Sequence, residues 1–278
     1  SELFIKTLGV LNMVEPELKH LASVNNVKQN LMEHLSKISL KKNDAEEYCN
    51  AFYKNYWQIF NLPKIIQHSD IFTEMKRETK KFTIHIFNEI QSEATELLVI
   101  APDHHGLFSI ISGLVASSGY DVVNAKIITR SDGYALDTFF IQNKERKVIA
   151  EEYLKKRLIK IMHKGLEGNF NIEDALNSRW KEIPARFRAV KAPARVIIDN
   201  KTSDSYTILE VNCKNAPGVL YRITKVIAEL GLQINTASVS TYGDRVVDIF
   251  YVKNMFGLKI DDNLTIKKIK TRILKILE

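Results

Sequence analysis

The pattern of apolar and polar positions changes period along this chain. Up to about Lys80 it is helical. Val27, Leu31, Leu35 and Ile38 form one stripe, and Tyr48, Phe52 and Tyr56 come next at four-residue steps with Trp57 and Phe60 beside them. Asp44, with Glu47 three residues on, predicts an N-cap with a capping box. Pro63 restarts the chain in a further short helix through Ile71 and Phe72. The aromatic stripe reads as helix-packing core rather than as a cofactor surface. Around Phe82 the period becomes two. Phe82, Ile84 and Ile86 alternate with Thr83, His85 and Phe87, Gln91–Thr95 turns, and Leu97–Ala101 predicts a second strand.

The stretch Val211–Lys259 reveals the plan of the whole C-terminal two thirds. A strand ends at Asn215, and Pro217 and Gly218 turn the chain into a helix with Leu220, Ile223, Ile227 and Leu230 on one face. Gly231 stops that helix. Strands Gln233–Thr241 and Arg245–Lys253 come next, joined at Tyr242-Gly243-Asp244. The same grammar occurs earlier in Asp103–Gly106, a helix Leu107–Ser118, Gly119, a strand to Thr129, a turn at Ser131-Asp132-Gly133 and a strand ending in Asn143. Setting Gly106 on Gly218 places Gly119 on Gly231, Ala125 on Ala237 and Thr129 on Thr241. One extra residue in the first copy's turn then brings Asp137 onto Asp248, Phe139 onto Phe250 and Asn143 onto Asn254. This is an internal duplication, and two copies imply a tandem pair of small domains rather than a solenoid.

Each copy is preceded by an additional strand, the second by Arg195–Asn200 with a turn at Lys201–Ser205. Each is followed by an amphipathic helix, the first through Leu154, Leu158 and Ile161, the second through Ile266, Ile269, Ile273 and Ile276. The expected fold class is therefore α+β: a helical N-terminal segment at 1–80, then two ferredoxin-like βαββα units at 81–173 and 195–278. Residues 174–194 form a basic connector with Arg179, Lys181, Arg186, Arg188 and Lys191. The helical segment is small for an independent enzyme and reads as the tail of a larger helical domain.

Composition narrows the function classes. No apolar run approaches the ~20 residues of a membrane span, and no signal segment opens the sequence. Cys49 and Cys213 are the only cysteines, too few for a disulfide framework or a Cys-rich metal site, and this fits the cytoplasm. The net charge of +7 leaves room for a nucleic-acid or acidic partner, but acidic residues are interspersed and favour a Lys-rich solvated surface.

Catalytic motifs are missing from the sequence. There is no phosphate loop with a Lys, no His-Glu-x-x-His and no nucleophile elbow. Asp103-His104-His105 has metal-ligand chemistry, but adjacent side chains diverge at such a turn and no third ligand is evident. His68 and Asp70 are an isolated pair. Asp132–Phe139 approaches the RNP1 pattern of an RNA-binding strand, yet has Asp132 where Lys or Arg is wanted and Asp137 in mid-strand. The two turns are chemically better founded. Gly106 and Gly218 permit close backbone approach. The N–H groups of Leu107 and Phe108, and of Val219 and Leu220, open a helix and suit an anion. Asp103 adds the opposite charge, so the first turn suits an amino acid. An ordinary helix start with Asp103 as an N-terminal charge is the equal alternative.

Pro217-Gly218-Val219-Leu220 before a helix, Gly231-Leu232-Gln233-Ile234, and a strand ending Asp248-Ile249-Phe250-Tyr251-Val252 resemble an ACT domain, a regulatory module that binds amino acids. Arg186–Asn200, Tyr221–Thr224, Thr241–Lys253 and Phe256–Ile260 further resemble the C-terminal end of the bifunctional uridylyltransferase/uridylyl-removing enzyme family, which acts on the nitrogen-regulatory protein PII. Ala101–Ser109 and Asp132–Phe139 resemble the family's first ACT repeat, and Tyr48–Ile71, less closely, the stretch after its HD domain. The resemblance covers about Lys80 to Glu278. It implies an allosteric sensor for glutamine, with Asp103, His105, Gly106, Leu107, Phe108, Asn215, Pro217, Gly218, Val219, Leu220 and Gln233 as candidate ligand-binding residues.

The family's catalysis uses Mg²⁺ in a nucleotidyltransferase domain and metal in an HD domain. Neither motif is in this sequence, so no catalytic residue, metal site or cofactor is expected in this chain. The implied partners are glutamine, PII or a separate catalytic half, and a second copy through the ACT sheets; nucleic acid and membrane are disfavoured. Two departures from the family pattern stand out. His105 replaces a Pro in the first repeat, and Asn215-Ala216 replaces Asp-Arg in the second, which removes a carboxylate. The first repeat is therefore expected to be the better amino-acid site and the second to be structural. The competing reading is an RNA- or protein-binding tandem that uses the basic connector.

Overall fold

The computed structural model describes residues 17–38, 41–53, 56–88, 93–182, 193–242 and 245–277. Their fold is α+β, with a helical N-terminal segment followed by sheet and helices in the expected order. The chain divides into two compact units. One comprises the chain to Thr83 with Val99–Asp103 and Ile128–Leu136; the other comprises Ile84–Leu98, His104–Ile127 and Asp137 onward. The central connector, including Arg186, Arg188 and Lys191, and the turn residues Gln91, Gly243 and Asp244 lie outside the described residues.

In the first unit, helices α1 (Glu17–Lys37), α2 (Lys42–Asn50), α3 (Tyr56–Ile59) and α4 (Leu62–Arg77) surround an aromatic core. Leu31 and Leu35 of the predicted stripe are wholly buried. Three local expectations are corrected. Asp44 is not the N-cap: α2 begins at Lys42 after Lys41, which makes no side-chain cap bond, and Asp44 lies inside the first turn, where its charge faces the helix's positive end. Tyr48, Phe52 and Tyr56 do not share a helix, because the helix ends at Asn50, yet Phe52 and Tyr56 still stack with ring centroids 3.7 Å apart. The helix after Pro63 runs on to Arg77, started by Asn61, whose side chain accepts from the Lys64 N–H at 3.1 Å.

One charged side chain completes this core. Arg130, only 2% exposed, lies over the rings of Tyr48, Phe52 and Phe72 at 4.7, 4.4 and 4.1 Å. Its Nε and Nη2 donate to the Asp132 carboxylate at 2.7–3.2 Å. The Ser131 N–H donates to the Ala51 carbonyl at 2.8 Å, so main chain and side chain are anchored together.

The remaining elements follow the duplicated plan. The first copy comprises β1 (Thr83–Phe87), β2 (Thr95–Pro102), α5 (Leu107–Ser118), β3 (Asp121–Thr129), β4 (Tyr134–Gln142) and α6 (Glu152–Leu166). After α7 (Ile172–Glu182) comes the second copy: β5 (Arg195–Asp199), β6 (Thr207–Lys214), α8 (Val219–Glu229), β7 (Gln233–Tyr242), β8 (Arg245–Lys253) and α9 (Asn263–Leu277). The eight strands form one sheet in the order β1-β2-β4-β3-β7-β8-β6-β5, which has the same plan read from either end. The halves meet where β3 pairs antiparallel with β7.

Polar details repeat with the fold. Asn88 donates to the Ile149 carbonyl (2.7 Å), Thr95 donates to Asn88 (2.9 Å), and the Ile149 N–H donates to Thr95 (2.7 Å). Asn200, Ile260 and Thr207 make the same three bonds at 2.8, 2.6 and 2.9 Å. Each set anchors an added strand to the segment before the last helix. Asn143 and Asn254 likewise each cap a turn, accepting N–H bonds from Glu145 and Lys147 and from Phe256 and Leu258. Phe139, at the RNP1-like strand's stacking position, is wholly buried against Phe108 and presents no face to a base.

Candidate functional site

Both turns adopt the geometry that their glycines allow. Gly106 and Gly218 are the residues before α5 and α8, with φ of +87° and +72°, a left-handed conformation that a side chain disfavours. The N–H groups nearest each glycine are already used: Leu107 donates to His104 at 3.1 Å and Val219 to Ala216 at 3.0 Å. The sequence alone assigns these two to an anion. The helix geometry moves that role one residue on, to Phe108 and Ser109 in the first turn and to Leu220 and Tyr221 in the second, which a helix's first turn leaves without an intrahelical acceptor.

In the first turn, Asp103 is exposed and accepts from the Thr129 hydroxyl at 3.0 Å, while its N–H donates to Gly133 at 2.8 Å. His104 and His105 are exposed. Among the described residues, no group of three His, Cys, Asp or Glu is placed to hold a metal ion. Leu107 and Phe108 are buried, so their side chains serve the core. Gly106 faces α8: a Cβ built on it would lie 3.8 Å from that of Ala228. Gln233 is exposed at the start of β7 and is the counterpart of Asp121 at the start of β3.

The second turn opens on a shallow groove of about 400 Å³, much of it open to solvent. Asn215, Gly218, Val219 and Leu220, all expected site residues, line one side, and Pro217 is half-buried within the turn. Ser112 and Ala116 of α5, then Tyr120 and Asp121, line the other. Asp248 of β8 also borders the groove. It is wholly buried, neither carboxylate oxygen has a hydrogen-bond partner among the described residues, and burial pushes its pKa up to about 8. In the sequence, the Asp-x-Phe pattern marks this residue only as a sign of duplication. Its chemical position comes from the β6–β8–β7 pairing, which sets Asp248 between Val211 and Val239.

Comparisons with known proteins agree with this architecture. Residues 202–276 match the ACR family N-terminal ACT domain. Bifunctional uridylyltransferase/uridylyl-removing enzymes are similar over most of the chain: that of Rhodospirillum rubrum is 38% identical over 77% of this chain and 23% of its own length. That of Gluconobacter oxydans is 32% identical over 99% of this chain and 29% of its own, and that of Azospirillum brasilense 34% over 84% and 25%. This chain corresponds to the C-terminal part of the bifunctional uridylyltransferase/uridylyl-removing enzymes. It spans about a quarter of the length of these relatives. ACT domains generally bind small amino-acid ligands. No helix among the described residues is long and apolar enough to cross a membrane.

Proposed function

We propose that this chain is the amino-acid-sensing regulatory portion of a uridylyltransferase-like protein of nitrogen regulation, and that glutamine is its ligand. The observation that carries this reading is the groove between the paired ACT repeats, where a helix start offers N–H groups and carboxylates stand nearby. A zwitterion with a short polar side chain satisfies both. Occupancy would bias catalytic parts acting on PII, which this chain would serve without a cofactor of its own and in the cytoplasm.

Titration calorimetry of the chain against glutamine, glutamate and the other amino acids tests this. Saturable binding selective for glutamine is expected. Heat from none of them would overturn the sensing role.

A further inference from the structure

We infer that the second-turn groove is a zwitterion site in which the Asp248 carboxylate takes the ligand's ammonium group and the N–H groups of Leu220 and Tyr221 take its carboxylate. This rests on the amino-acid-sensing reading and deepens it: it assigns the charged contacts to the repeat that lacks an acidic residue in its turn.

Three independent observations converge on the groove. The first is α8, an eleven-residue helix whose start borders it and whose early N–H groups favour negative charge. The second is Asp248, wholly buried with both oxygens unpartnered. A buried carboxyl without a hydrogen bond is costly, and proteins rarely keep one without a use. The third is the groove itself, which Asp248 and the helix start both line. Asn215 carries no charge, but the strand beneath supplies the carboxylate that the turn lacks.

Neighbouring groups leave Asp248 as the one poised to change charge. From β6, the Cys213 thiol is pushed up to about 12 by burial and then by Asp248 itself, so it stays neutral. From α8, Arg222 remains a cation although burial lowers it. Burial raises Tyr120, and at the start of β3 Asp121, though exposed as a residue at the groove's rim, is raised by partial desolvation of its carboxyl. On β8 itself, Arg245 is engaged by Asn212 and the Pro193 carbonyl. None of these charges offsets the burial of Asp248, whose carboxyl is mostly protonated at neutral pH. An arriving ammonium favours the ionised form, so binding expels a proton and tightens as pH rises towards about 8.

The experiment is calorimetry of the full chain with glutamine, near neutral pH, in buffers of different ionisation enthalpy, repeated with Asp248→Asn and Asp103→Asn. The unmodified chain is expected to bind with release of most of one proton. Asp248→Asn is expected to lose roughly tenfold or more in affinity together with the proton release, while Asp103→Asn keeps both. Glutamine binding by the unmodified chain without proton release, or unchanged binding by Asp248→Asn, would overturn the assignment and leave the sensing role standing. Binding lost only in Asp103→Asn would transfer the site to the first turn. Absence of any amino-acid binding by the unmodified chain would overturn both.

Discussion

Ala125 and Ala237, equivalent residues of the two repeats, are paired directly with each other across β3 and β7. Both are wholly buried. On either side Asn124 meets Ser238 and Lys126 meets Thr236, as a local two-fold axis through the alanines requires. On the helical layer the equivalent residues Ser112 and Thr224 also meet, their hydroxyl oxygens 3.4 Å apart. The repeats thus make the isologous contact of a dimer within one chain. The strand edge that a second copy would use is taken up internally, leaving β1 and β5 at the ends of the sheet. The same symmetry sets each turn against the other repeat's helix, Gly106 facing Ala228 and the second turn facing Ser112 and Ala116. A ligand in the groove touches both repeats, so its occupancy is linked to their pairing.

The two turn glycines occupy equivalent positions with unequal surroundings. Each has a left-handed φ, so alanine at either costs about 1–2 kcal/mol. At Gly106 the new Cβ has room, whereas at Gly218 it would lie 2.6 Å from a terminal carbon of Leu176 on α7. Gly218→Ala should therefore be the more destabilising by about 1 kcal/mol, and that excess should vanish when Gly218→Ala is made in a Leu176→Ala background and compared with Leu176→Ala alone. Urea denaturation of the two glycine variants, Leu176→Ala and the double variant checks it; equal losses at the two glycines would contradict the packing.

Much of the duplicated fold was legible in the sequence. The glycine positions, the period-two runs and the Asp-x-Phe strand endings are local signals, and they align the repeats residue by residue. The breaks in the helical segment were less legible, because Tyr48, Phe52 and Tyr56 meet in space whether or not a helix runs through them. Asp44 shows the same limit: an acidic residue in a first turn and a true N-cap lie within a few positions of each other. The groove was hidden for another reason. Asp248, Ser112 and Tyr120 are far apart in sequence, and only the antiparallel meeting of β3 with β7 brings them together. Arg130 was likewise silent, since its partners Tyr48, Phe52 and Phe72 come from a distant segment.

Arg130 makes a strong demand on its position. Its planar group lies against three rings and donates to both oxygens of Asp132. Burial would raise the Asp132 carboxyl, but the hydrogen bonds and charge of Arg130 outweigh it and hold that carboxyl below its ordinary value. Lysine keeps the charge and loses both the fork and the flat face. Arg130→Lys should cost about 2–4 kcal/mol, with faster amide exchange in Lys42–Asn50 and Leu62–Arg77. Wild-type exchange in these helices would show that the contact contributes little.

Asp248 carries the last prediction, in stability rather than binding. Its folded pKa, about 8, is above the value of 3.8 for a free carboxyl. Below the lower value both the folded and unfolded states hold the proton, and no penalty arises. Between the two values the unfolded chain releases its proton while the folded one retains it, so stability falls as pH rises, by up to roughly 1.4 kcal/mol per pH unit from this group. Above about 8 both states are ionised and the slope vanishes. Asn has nearly the same shape and does not titrate. The stability of Asp248→Asn relative to wild type should therefore grow steadily from acid to neutral pH and then level off. Urea denaturation of both proteins across that range measures the difference, and a pH-independent gap would show that the carboxyl titrates normally. If the growth is seen, the residue that weakens the fold is the one assigned to the ligand, and Asp248→Asn becomes a more stable protein that no longer binds. Such an exchange of stability for recognition is what an unpaired carboxyl held ready for an incoming cation entails.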